Sequence, residues 1–345
     1  MLVLAIESSC DETAVALLDS ASGQAVRLID EVISSQTNIH ELYGGVVPEL
    51  AAREHLHNLP LLVDGIMQKT RVSWSDIGLL AVTRGPGLKG CLLIGMDFAK
   101  GISVGTGIPL LGVNHIEGHV LAPMLDNPEL HFPYLALIVS GGHTEIVAVR
   151  DVGSYSIVAR TIDDAAGEAF DKSANLLGLA YPGGAKLAAL ADSATAAIPK
   201  EFELPKVMRE AEGFSFSGLK TAIALLIKKK GAHIAQDPQA QALLAKSIQS
   251  SIVETLIHKL KLAISQTGLR NVALSGGVSA NRALRAAAAA IPGVRVYTPS
   301  ALHCMDNAAM IGYVGLKRFE RGERNTLDIS ALSRWPVETL QLGNP

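Results

Sequence analysis

The sequence predicts an α/β protein of two lobes built from a duplicated unit of strand, hairpin turn, strand and helices, and three observations carry this reading. The opening pattern, apolar Leu2–Ser8, polar Ser9-Cys10-Asp11-Glu12 and apolar Thr13–Leu18, begins again after Pro133. At a constant offset of 132 the identities are Ile6/Ile138, Ser8/Ser140, Val15/Val147, Ala16/Ala148 and Asp19/Asp151. A strand, glycine turn and helix also recur, with Ala81/Ala273 and Gly85/Gly277 matching between Leu79–Gly87 and Asn271–Gly277. Two matching blocks in the same order argue for duplication. Composition agrees: 48% of the 345 residues are hydrophobic but only 4% aromatic, and 32 are glycine, which suits tight strand–helix turns. At roughly 100–200 residues per domain the length allows about two domains.

The elements follow in order. After the first hairpin, Ala25–Ser34 is a third β-rich run. Glu49–Lys69 has helical periodicity through Leu50, Leu56, Leu59, Leu62, Val63 and Ile66. Leu79–Thr83 reads as a buried strand, Arg84-Gly85-Pro86-Gly87 as a turn, and the stretch to Lys100 as a helix. Pro109–Val113 is a short strand leading into His115-Ile116-Glu117-Gly118-His119. In the second half, Tyr134–Val139 and Glu145–Val149 flank the Ser140–Thr144 turn. An Ala/Leu/Lys-rich stretch of about 164–266 reads as mostly helical. Val294–Thr298 is a strand and Asp306–Phe319 a helix. The expected division is residues 1–130 and 131–345, with the helical insert in the second lobe. This plan resembles the duplicated actin-like fold of sugar kinases, Hsp70 and actin, in which the two first hairpins face each other across a central cleft.

Several classes are excluded. Charged residues make up 18%, with mean hydropathy +0.29, so the chain is not disordered. No run of about 18 apolar residues lacks a charge, so no membrane span is expected, and the apolar N-terminal run is too short for a signal peptide. The net charge of −3 provides no global attraction to nucleic acid. Cys10, Cys91 and Cys304 are too few and too scattered for a disulfide framework, which suggests a cytoplasmic setting.

His115 and His119 stand at i and i+4, so on a helix they share a face and can chelate one metal. An isolated pair of this spacing more often flanks a helix without metal. Glu117 lies at i+2, away from that face. Ile116 occupies the place where the HExxH metalloprotease motif has its Glu, so a protease of that type lacks its base. Asp306 either caps the helix it opens or completes a two-His, one-carboxylate set. The Ser140-Gly141-Gly142 turn, the Tyr181–Gly184 turn and the Ser275–Asn281 loop are glycine elements whose N–H groups can meet phosphate, although a Gly-Gly hairpin is more often only a turn. Asp11 is a turn residue or a cleft carboxylate. Asp163, Asp164, Glu168 and Asp171 form an acidic helix opening. The basic runs Lys228-Lys229-Lys230 and Lys317-Arg318 with Arg321 and Arg324 read as solvated faces or as local patches for nucleic acid.

Together the motifs IESSCDET at 6–13, YGGVVPELAAREH at 43–55, GPGL at 85–88, NHIEGH at 114–119 and VSGGHT at 139–144 make a combined signature. DDAAGEAFDK at 163–172, YPGG at 181–184, FSFSGLKT at 214–221, SGGVSANR at 275–282 and CMDNAAM at 304–310 extend it across the chain. In this the sequence resembles the tRNA N6-adenosine threonylcarbamoyltransferase (TsaD, formerly Gcp) family, in its bacterial or organellar form. The resemblance implies His115, His119 and Asp306 as ligands of one divalent metal per subunit, Fe(II) or alternatively Zn(II). It implies Ile138, Val139, Ser140, Gly141 and Gly142 as the substrate loop, Asp171, Gly184 and Asn281 as further adenylate contacts, and Asp11 as a carboxylate needed for transfer. The implied reaction moves threonylcarbamoyl from L-threonylcarbamoyladenylate to N6 of adenosine 37 in tRNAs reading codons that begin with A, releasing AMP. The implied protein partners are TsaB-like and TsaE-like. A kinase of the same fold would hold Mg(II) mainly through carboxylates and water, which the His pair argues against. A non-catalytic scaffold would not retain the full ligand set.

Overall fold

A computed structural model describes residues 1–20, 25–204, 213–231, 234 and 237–341. The chain forms two compact units. The first comprises Met1–Phe132, Val149–Ser156 and Thr298–Pro345, and the second comprises Pro133–Ala148 and Ile157–Tyr297.

The first unit opens with β1 (Leu2–Glu7) and β2 (Glu12–Asp19), an antiparallel pair in which Ile6 is opposite Val15. β3 (Arg27–Ser35) adds antiparallel to β2. Helices α1 (Thr37–Glu41) and α2 (Pro48–Thr70) follow. β4 (Ile77–Gly85) lies parallel to β1, α3 (Lys89–Thr106) crosses over, and β5 (Leu110–Asn114) extends the parallel side. Two short helices, α4 (His115–Leu121) and α5 (Pro123–Asp126), complete this stretch. The sheet order is β3-β2-β1-β4-β5. Central β1 is buried from Val3 to Glu7, because a strand covered on both faces needs apolar side chains on both. Leu4 and Ile6 pack with Leu59 and Val63 of α2 and Met96 and Ala99 of α3.

The second unit carries β6 (Tyr134–Val139), β7 (Thr144–Asp151) and β8 (Ser154–Arg160), the tip of that hairpin belonging to the first unit. Then come α6 (Ala166–Leu176), α7 (Gly184–Ser193), α8 (Ser217–Lys230) and α9 (Pro238–Thr267), so the described part of the 164–266 stretch is largely helical. β9 (Asn271–Ser275), α10 (Arg282–Ala289) and β10 (Arg295–Tyr297) end the unit. Read from the hairpin edge, its order is β8-β7-β6-β9-β10, the same topology as the first sheet. Its parallel pairs β6–β9 and β9–β10 repeat β1–β4 and β4–β5. Leu135, Leu137 and Val139 pack with Phe170, Leu187, Leu219, Ile248 and Leu284 from α6–α10.

The chain then returns to the first unit as α11 (Ala308–Glu320). Here the structure corrects one expectation. The helix does not begin at Asp306; Asn307 is its cap, accepting from the Met310 N–H at 2.8 Å, and Asp306 lies outside the cap. A Cβ on Gly312 would land on Leu18 Cδ1 and 3.0 Å from Ala5 Cβ, so the helix backbone rests directly on the sheet. Because Ala5 points opposite to Leu4 and Ile6, α11 covers the face that α2 and α3 leave. Among the described residues no helix is long and apolar enough to cross a membrane. Gly312→Ala overpacks this contact and is expected to lower stability by about 1–3 kcal/mol, read as a lower urea midpoint with an unchanged slope.

Candidate functional site

α4 begins where β5 ends. The Asn114 side chain accepts from the Glu117 N–H and caps the helix. One helical turn then sets His115 and His119 on a common face, rings 4.8 Å apart and edge to face. Asp306 meets both: its Oδ1 is 2.9 Å from His119 Nε2 and 3.6 Å from His115 Nε2. Among the described residues these three bring donor atoms within 4.8 Å of one another. The loop bearing Asp306 is pinned on both sides. Asp126 Oδ2 accepts from Ser300 N–H at 2.7 Å and His303 Nδ1–H at 2.8 Å, and Glu31 Oε1 accepts from Ala309 N–H at 2.8 Å.

His115 is oriented from behind. Its Nδ1–H donates to Glu7 Oε2 at 3.1 Å, which leaves Nε2 facing Asp306. Glu7, only 1% exposed, also accepts from Ser9 N–H and Thr83 Oγ1–H, each at 2.6 Å. Burial opposes charge on Glu7, but His115 and the Ser9 hydrogen bond hold its carboxyl below the usual range. Burial likewise opposes charge on His115, yet Asp306 and Glu7 push its pKa up to about 9. These carboxylates attract a positive charge that a proton or a metal ion can supply. Nearby Glu12 is raised to about 10 by burial and by the charges of Asp306 and Asp11. Two imidazoles and one carboxylate, with a carboxylate behind one imidazole, fit a transition-metal ion such as Fe(II) or Zn(II). His119 Nδ1 is buried without a hydrogen bond, which leaves the Nε2 contact to Asp306 as that ring's polar anchor.

Glu117 points the other way, as its i+2 place requires. It accepts from Tyr155 Oη–H at 2.6 Å and Arg318 Nε–H at 2.7 Å, and Arg318 also donates to Glu323 at 2.6 Å. Burial pushes the Glu117 carboxyl up, against the pull of Arg318. This network ties α4 to α11. Two other members of the basic run at 317–324 are paired separately, Arg321 with Asp151 and Lys317 with Glu320. In the other run, Lys230 pairs with Glu201.

In the second unit, Ile138 and Val139 are fully buried β6 residues that can offer a ligand only backbone. Ser140 closes the turn, its N–H donating to His143 O at 2.8 Å and its Oγ accepting from His143 N–H at 3.1 Å. Gly141 and Gly142 are exposed, with no atom within 4 Å of a Cβ placed on either. Gly276, at φ +84°, lets the end of β9 approach this turn, since a Cβ there would lie 2.5 Å from Val139 O. Asp171 sits inside α6, and its Oδ1 accepts from Gly183 and Gly184 N–H at 2.9 and 2.8 Å, at the start of α7. Asn281 caps α10 through Leu284 N–H and donates to Gln249. Asp11 holds the first hairpin turn, its backbone O accepting from Gln36 N–H at 3.0 Å. Sequence reasoning missed Glu7, Ser9 and Thr83. The available signal was an acid closing an otherwise apolar strand, a residue type seldom buried without partners.

The family model described as tRNA N6-adenosine threonylcarbamoyltransferase (TsaD) matches residues 27–313. A protein of that name from Variovorax paradoxus is 45% identical, covering 99% of this chain and 97% of its own. One from Verminephrobacter eiseniae is 44% identical, covering 98% of each. Among solved structures, HypF of T. kodakarensis matches 93% of this chain and 48% of its own at TM-score 0.62 and 16% identity. Component A of the Acidaminococcus fermentans (R)-2-hydroxyglutaryl-CoA dehydratase matches 92% and 96% at TM-score 0.54 and 14% identity. The structural matches support the actin-like fold.

Arg318→Met leaves the Glu117 carboxylate buried without its cation. The expected cost is about 3–5 kcal/mol, measured by urea unfolding. Adding Glu117→Gln is expected to restore much of it.

Proposed function

Because the chain belongs to the tRNA N6-adenosine threonylcarbamoyltransferase family and so acylates tRNA, we propose the specific reaction as follows. The donor is L-threonylcarbamoyladenylate, and the acceptor is N6 of adenosine 37 in tRNAs reading codons that begin with A. The adenine N6 attacks the carbamoyl carbon and forms a new N–C bond. The C–O bond to phosphate breaks, its electron pair leaves with AMP, and N6 gives up one proton. TsaB-like and TsaE-like proteins act with the chain in the cytoplasm.

The observation that carries the chemistry is the convergence of His115, His119 and Asp306. These residues hold one divalent ion, Fe(II) or alternatively Zn(II), which when bound supplies positive charge to the donor's oxygens. Glu7 orients His115 for that task. The exposed Gly141 and Gly142 present N–H groups to phosphate oxygens, on a loop whose shape Ser140, Ile138 and Val139 support. Asp171 meets ribose hydroxyls, and Gly184 and Asn281 place the starts of α7 and α10 near the nucleotide. Asp11 orients the N6 amine or takes its proton.

The deciding assay supplies ATP, threonine, bicarbonate, tRNA and the partner proteins, then analyses nucleosides with and without this chain. Threonylcarbamoyl adenosine is expected only with it, and equal product in both arms overturns the reading. His115→Ala is expected to lose bound metal and transfer together. Glu7→Gln keeps all three ligands and is expected to weaken metal binding about 10–100-fold, read by Co(II) titration. With preformed adenylate, Asp11→Asn is expected to slow transfer about 10²–10⁴-fold; an undiminished rate would exclude the base role.

A further inference from the structure

The motif at 43–55 has no part in the chemistry above, yet it builds a specific object beside the Asp11 turn. His55, fully buried, sits beneath that turn. Its Nε2–H donates to Cys10 O at 2.8 Å and its Nδ1 accepts from Thr13 Oγ1–H at 2.7 Å. Gln36 N–H donates to Asp11 O at 3.0 Å. The next link is His40, also fully buried: its Nε2–H donates to Gln36 Oε1 at 3.1 Å, and its Nδ1 accepts from Val47 N–H at 3.3 Å. His40 O accepts from Tyr43 N–H at 3.0 Å and Gly45 N–H at 3.4 Å. One histidine thus clamps both ends of the turn 42–45, and a second fastens its base to the backbone around Asp11.

What this scaffold presents is apolar. Leu42 is 84% exposed and Tyr43 63%. Among the described residues the other exposed aromatic is Trp74, at 36%. No atom lies within 4 Å of a Cβ placed on Gly44 or Gly45, so the backbone that follows Tyr43 also borders open space. The nearest charged residues in sequence on either side, Glu41 and Glu49, are both acidic, so the tip carries no local positive charge for a phosphate. An uncharged base needs none.

We infer that Tyr43, held at the tip of the 36–47 segment with Leu42, is a stacking platform for an unpaired base of the tRNA anticodon loop. The inference rests on tRNA as the acylated substrate. To offer N6 to the donor, the loop must be unstacked around its target, and splayed bases are taken up on aromatic faces. A two-residue tip is small against the roughly 800 Å² per partner of a stable protein interface, but it matches one base.

The test uses the full chain with its partner proteins and anticodon stem-loop RNAs. Each RNA carries 2-aminopurine in place of the target adenine or of one neighbour. Binding is expected to quench the fluorophore at one of these positions. Tyr43→Ala is expected to remove that quenching and to weaken RNA binding about tenfold. Tyr43→Phe and Tyr43→Trp are expected to keep both. In the transfer assay, Tyr43→Ala raises the KM for tRNA, leaves the KM for the adenylate unchanged and leaves the urea midpoint unchanged. Wild-type affinity and quenching in Tyr43→Ala overturn the inference, as does absence of quenching at every position in the wild-type complex. Loss of partner-protein binding at unchanged RNA affinity also overturns it and makes the tip a protein contact. If the wild-type complex stacks the base but yields no modified nucleoside, the proposed reaction fails and the platform stands.

Discussion

One buried carboxylate organises the candidate site. Glu7 ends the central strand β1, where a charge would be costly if left alone. It is not left alone: Ser9 N–H, Thr83 Oγ1–H and His115 Nδ1–H all donate to it. Those three donors belong to the first hairpin turn, to β4 and to α4. A single side chain therefore sets the turn that carries Asp11 and the ring that faces Asp306.

A second buried pair works on the opposite side of the same short helix. A seven-residue helix has little stability of its own, so its orientation has to come from tertiary contacts. Glu117 provides one by reaching Arg318 on α11 and Tyr155 on the hairpin tip. Spacing along α4 separates the two jobs: residues 115 and 119 face Asp306, and residue 117 faces the anchor. A buried ion pair adds little net stability but makes the wrong arrangement expensive, which suits a helix that must present two rings at fixed distances.

How much of this is legible in the sequence depends on range. β1, β4, β6 and β9 announce themselves because central strands covered on both faces must be apolar throughout. The i, i+4 spacing of His115 and His119 is local and survives intact. Asp306 is harder. Asp and Asn are both good caps, so nothing local says that Asn307 takes the cap and leaves the Asp306 carboxylate outside it. Its pairing with His119 spans 187 residues and leaves no trace in either neighbourhood. Arg318 looks like one more member of a solvated basic face because its partner Glu117 is also remote in sequence. The scaffold under Tyr43 is invisible for a different reason: buried histidines that serve as neutral hydrogen-bond relays look, in sequence, like any other histidines.

The first unit is assembled from three separated stretches of chain, the last beginning at Thr298. On the ribosome this has a temporal meaning. His115 and His119 emerge early, but Asp306 follows the second of them by 187 residues, a wait of roughly 10–40 s at the usual rate of synthesis. Until then the outer face of the first sheet also lacks α11. A nascent or prematurely terminated chain therefore carries an incomplete donor set and an uncovered apolar sheet, a combination that quality-control machinery can recognise. The three donor residues are in this way brought together only after the whole second unit has been synthesised.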